Sequence, residues 1–194
     1  MTRTRPSAGR TMATATLAVG AAVAVREAFS PRLPLTVWFG PVETPVRLGG
    51  AALTGAFICI VLASLRTPRE LPARMRRIWI GLRTPVHGRF WLVGLAVVEE
   101  AVWRGCLFAV LATAFGIPVG MALSSIGFGV WHLHQGTKGV LANTINGLTF
   151  STSYLVLGGL PAAILTHVAH NLVLAWMRVG HLSEGDRLAL GRVR

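Results

Sequence analysis

The sequence predicts an all-α fold: a polytopic membrane helix bundle of about six transmembrane helices, with both termini on the cytoplasmic side. Three observations predict it. Of 194 residues, 53% are hydrophobic and 13% are charged, against about 25% charged in soluble domains. The apolar residues gather into six runs, at about 11–25, 48–65, 90–115, 118–132, 139–157 and 160–177, most of them close to the roughly 20 residues that cross a hydrocarbon core. The basic residues lie between these runs in a pattern that agrees with one orientation.

The first run follows Arg3, Arg5 and Arg10. It reads as a retained anchor rather than a cleaved signal peptide, because Val25-Arg26-Glu27-Ala28 is a poor cleavage site. The loop 26–47 falls outside, its three Arg offset by Glu27 and Glu43. After the second run, the connection 66–89 holds seven Arg against the single acid Glu70, which places it in the cytoplasm. The basic N-terminus, Lys138 and the tail after Arg178 fall on the same side. Within the connection, 75–82 (MRRIWIGL) reads either as an interfacial amphipathic piece or as a solvated linker. No internal repeat is visible, so an inverted-repeat transporter has no support. The organisation expected is an N-terminal two-helix region with its Arg-rich connection (1–89), a core (90–178) and a cytoplasmic tail (179–194).

The formal net charge of +12 comes from 18 Arg and one Lys against seven acids. In a soluble chain such an excess suggests nucleic acid. No soluble basic domain is left over here, so the expected partner is a bilayer with anionic headgroups and no nucleic acid. Cys59 and Cys106 both sit in apolar runs without a CxxC spacing and read as small buried hydrophobes. Ala- and Arg-rich usage with a single Lys points to a bacterial source, and so to the bacterial cytoplasmic membrane.

The third run contains the cluster Glu99-Glu100-Ala101-Val102-Trp103-Arg104. Each ionisable group inside a span costs on the order of 2.5–3.5 kcal/mol on insertion scales, and such groups are functional by default. Glu100 and Arg104, four apart, share a helix face and can pair. Glu99 lies about 100° around the helix and must find another helix, a water-filled cavity or a proton. The fourth run carries Phe128 and His132 at the same spacing, with His134 pointing elsewhere. Taken alone, His132 fits a histidine satisfied by a backbone carbonyl or a lipid headgroup. The sixth run presents His167 and Asn171 on one face, with His170 turned away and read as structural. The fifth carries Asn143, Thr144, Asn146, Thr149, Ser151, Thr152 and Ser153, which suits either a wet interior or interhelical hydrogen bonds. A Glu with a His can activate water, and a His with an Asn can stabilise an oxyanion.

EExxxR (Glu99–Arg104), FxxxH (Phe128–His132) and HxxxN (His167–Asn171), in this order on apolar segments, resemble the CPBP (ABI) family of type II CAAX prenyl proteases and bacteriocin-processing proteins. The match covers roughly 93–173, and the run Gly158-Gly159-Leu160-Pro161 resembles the short turn before the family's last motif. The resemblance implies an intramembrane endopeptidase. Glu99 and His132 would activate the attacking water, and His167 and Asn171 would hold the tetrahedral oxyanion. Glu100 and Arg104 would support the site, and Phe128 would shape the pocket near His132. On straight helices these groups spread over roughly 10 Å along the membrane normal, so tilt or a helix break must bring them together.

Three other readings compete with this one. A zinc-dependent protease would ligate the metal with Glu99, His132 and His167, although HExxH is absent and Asn171 is a poor ligand. The expected cofactor is therefore none, with zinc as the alternative. A membrane scaffold or immunity protein would bind a peptide in the same cavity without cutting it. A proton-coupled relay also uses Glu and His, but the chain is small for a transporter. The expected substrate is a peptide or the tail of a membrane protein.

Overall fold

The computed structural model describes residues 45–82 and 90–178, apart from the side chains of Arg66 and Arg178. Among the described residues every regular element is helical. Helix α1 is Pro45–Arg66, and a 3₁₀ turn, Pro68–Glu70, leads into α2, Leu71–Leu82. Helix α3, Phe90–Glu100, continues into a π-helical segment, Ala101–Phe108, and then α4, Ala109–Phe115. Helix α5, Ile117–Trp131, is followed by a 3₁₀ turn, Leu133–Gln135. Helices α6, Thr137–Leu157, and α7, Gly159–Arg178, complete the order. The five apolar runs from 48 to 177 are all helical, each within three residues of its expected ends. The run 11–25 and the tail 179–194 lie outside the described residues.

Local chemistry sets the breaks. Gly116, with φ of 86°, closes α4 by donating its N–H to Ala112 O, and Pro118 opens the next helix where a missing N–H costs nothing. Gly158 and Gly159 both take positive φ, 126° and 76°, a conformation that side chains resist. This turn sends the chain back so that α7 packs on α6. The hydroxyls of α6 are partly absorbed locally: Thr149 donates to Ile145 O and Thr152 to Leu148 O, at 3.0 and 2.9 Å. These two threonines therefore report neither a wet interior nor an interhelical bond.

Helix α7 is the centre of the bundle, packed against α1, α2, α3, the π segment and α6. Its first half joins Phe108 and Tyr154 through Leu160 and Ala163. Its last turns join Cys59 and Ile78 through Val173, Trp176 and Met177. Between the two apolar clusters lies the polar stretch Thr166–Asn171. The α1 contact is close: a Cβ on Gly55 would overlap Thr166 O. Small residues at such crossings let helix backbones approach.

Two helices, over Pro45–Leu65 and Gly159–Met177, are long and apolar enough to cross a membrane, with mean hydropathy 2.1 and 1.3. Helix α5 is apolar but has 15 residues, a rise of only about 22 Å. Polarity is arranged inside out. Leu53, Phe57, Trp91, Ile126, Trp131 and Val156 are exposed, while Glu100, Arg104, Ser125 and Ser151 are fully buried. Over Leu71–Leu82 the basic connection is a helix rather than an extended linker. It buries Ile78 and Gly81 and exposes Met75, Trp79 and Leu82.

Candidate active site

Glu99 and Glu100 end α3 at the point where the chain widens into the π segment, a departure that often accompanies functional sites. They face different ways. Glu100 is completely buried, whereas the Glu99 side chain keeps 17% of its surface. Arg104, inside the π segment, donates from Nη1 to Glu100 Oε1 at 3.0 Å. Its Nη2 donates to Gly147 O on α6 at 2.8 Å. The guanidinium also lies over Phe128 and Phe150, 4.9 and 5.3 Å from the ring centroids. A buried cation is costly without a partner, and the two aromatic faces add to the Glu100 pairing; Arg104 Nε is buried without a hydrogen-bond partner.

His167 on α7 meets the carboxylates. Its Nδ1 is 2.7 Å from Glu100 Oε1 and its Nε2 is 3.6 Å from Glu99 Oε2. One imidazole thus bridges the two adjacent acids. Phe150 stacks on that ring, with centroids 4.5 Å apart and planes at 20°, and Phe128 meets it edge-on at 6.0 Å.

His132 caps α5 with φ −94° and ψ 20°, off the helical path. Its Nδ1 donates to Phe128 O at 2.9 Å, and its ring lies 4.9 Å from that of Phe128. The backbone carbonyl that the plainer reading of His132 required is therefore present. It occupies Nδ1 and leaves Nε2 for another partner. His134 is exposed, 5.9 Å from the His132 ring.

Glu99, Phe128, His132, His167 and Asn171 line a single cavity of about 140 Å³. The structure thus brings together on one cavity residues that straight helices would spread apart. Glu100 and Arg104 are not in the wall; they lie behind it, holding His167 and each other. The histidine in contact with Glu99 is His167 rather than His132. His170, read as turned away, also lines the cavity and bonds Asn146. Phe150 carried no mark in the sequence, since an aromatic residue on an apolar helix is ordinary; its place becomes visible only once α6 and α7 are packed. Among the described residues no group of three or more His, Cys, Asp or Glu is placed to hold a metal ion.

Residues 83–173 match the family model described as Type II CAAX prenyl endopeptidase Rce1-like. The chain is CAAX protease-like over this stretch. The CAAX protease-like segment contains all three motifs and every cavity-lining residue but Leu174, and it ends at Val173, half a turn beyond Asn171. It leaves α1 and α2 outside, although both pack on α7. No curated protein and no solved structure matches the chain significantly.

Proposed function

We propose that this protein is an intramembrane endopeptidase of the bacterial cytoplasmic membrane, hydrolysing a peptide or the tail of a membrane protein with Glu99 and His132 as the water-activating pair. The observation that carries the reading is the convergence of Glu99, His132, His167 and Asn171 on one small cavity, within the CAAX protease-like stretch.

In the proposed reaction, water hydrogen-bonds to His132 Nε2 and gives its proton to the Glu99 carboxylate as its oxygen attacks the scissile carbonyl carbon. The carbonyl π electrons move to oxygen. The resulting oxyanion accepts hydrogen bonds from His167 Nε2–H and Asn171 Nδ2–H. Collapse breaks the C–N bond, and Glu99 returns the proton to the leaving amine nitrogen. Glu100 fixes His167 through Nδ1, and Arg104 in turn holds Glu100 in place. Every group this sequence of steps requires is a side chain, so the proposal includes no cofactor. Helices α3 to α6 complete the bundle within the bilayer, with the arginine-rich connection against anionic headgroups.

Comparison of peptide termini in cells carrying the wild type, Glu99→Gln or His132→Ala tests the reading. The expected result is a set of cleaved products present only with the wild type. Full cellular activity in both variants would overturn the peptidase reading and leave a binding role for the cavity.

A further inference from the structure

We propose that Asn146 is a substrate-binding residue, accepting a hydrogen bond from a backbone N–H of the bound peptide next to the scissile bond, with His170 holding it in place. This rests on the peptidase reading above and adds how the substrate is aligned.

Asn146 lies on α6, is 5% exposed and lines the same cavity as Glu99 and His167. Its Nδ2 donates to His170 Nε2 at 3.4 Å. That bond sets the rotation of the amide group, and its Oδ1 is then buried with no hydrogen-bond partner. Native interiors leave few such acceptors unpaired, so an acceptor of this kind at a cavity wall fits a ligand donor. Gln135 Oε1, on the same cavity, by contrast already accepts from Asn143 Nδ2 at 3.2 Å. Phe150 ties the two functions together. It stacks on His167 and meets His170 edge-on at 5.9 Å.

The ligand chemistry follows from the acceptor. An amide oxygen recognises a neutral N–H donor, without selecting a charge. A peptide whose carbonyl oxygen points at His167 and Asn171 presents its neighbouring N–H groups to other walls of the cavity. Asn146 Oδ1 supplies the matching acceptor. Such a contact reads the backbone and leaves side-chain selection to the apolar wall positions Leu95 and Leu174.

The probe is the peptide cut fastest, in a Glu99-dependent manner, from a proteome-derived library by the reconstituted full-length protein. Analogues carry an ester oxygen in place of one N–H at a time within two residues of the scissile amide, which itself is retained. For the wild type, one analogue is expected to lose about five- to tenfold in kcat/KM, the usual range for one neutral hydrogen bond. Asn146→Leu is expected to cut the parent peptide more slowly by a similar factor and to treat parent and analogue alike. His170→Phe should weaken the same discrimination. The deciding readout, parent against analogue, is a ratio within one variant, so partial loss of folded protein cancels from it. If Asn146→Leu discriminates as the wild type does, or the wild type ignores every replacement, the inference is overturned. If no peptide in the library is cut in a Glu99-dependent manner, it is the peptidase reading itself that fails.

Discussion

Phe150 lies flat against His167, ring centroids 4.5 Å apart and planes inclined by 20°. This contact holds the imidazole between Glu99 and Glu100, because a ring clamped on its face cannot rotate about its Cβ–Cγ bond without losing the stack. The same phenyl ring supports the Arg104 guanidinium at 5.3 Å. One side chain outside the three motifs therefore orients members of two of them.

Phe150→Leu keeps an apolar side chain but removes the flat face. It is expected to lower kcat about tenfold with little change in KM, since a misplaced reacting group costs rate rather than binding. Phe108→Leu is the control. It disrupts the edge-on pair with Tyr154 at 5.6 Å, away from the cavity, and should lower the melting temperature in detergent while leaving kcat near wild type.

Breaking the Glu100–Arg104 pair should be costly for folding. Both side chains are fully buried and 3.0 Å apart, and removing one partner of such a pair typically costs about 3–5 kcal/mol by leaving an uncompensated charge. Arg104→Met should therefore destabilise strongly in denaturant titration. Adding Glu100→Gln should recover part of the loss, because the orphaned carboxylate is then gone. Additive losses would argue against coupling.

Gly55→Ala tests how α1 is seated on α7. Its new methyl would overlap the carbonyl oxygen of Thr166, one residue before His167. The backbones must separate, and overpacking of this kind costs about 1–3 kcal/mol. Gly49→Ala, at a position with open space around it, should be nearly neutral in the same thermal melt.

Chelation separates the metal-free chemistry from its zinc alternative. Dialysis of the purified protein against a strong zinc chelator is expected to leave Glu99-dependent peptide cleavage unchanged. Loss of cleavage that returns on adding zinc would establish the metal-dependent reading.

Much of the architecture was legible from the chain because helices are local. Their hydrogen bonds reach four residues, so apolar runs broken by Gly116-Ile117-Pro118 and Gly158-Gly159 locate the helices from 90 to 178 closely. The Glu100–Arg104 pair, four residues apart, was legible for the same reason. Motif spacing also picked out Glu99, His132, His167 and Asn171, which do share a cavity. What the sequence did not contain is how those faces meet. The bond from Arg104 to Gly147 O spans 43 positions, and that from His167 to Glu100 spans 67. The π segment, the bridging of both acids by His167, the stack on Phe150 and the placement of Asn146 beside His170 depend on helix rotations. Those rotations are set by close backbone approaches, such as Gly55 on Thr166 and Gly147 on Ser125, and by the need to satisfy a buried guanidinium. The chain alone determined which polar groups enter the bundle; only packing decided which of them touch.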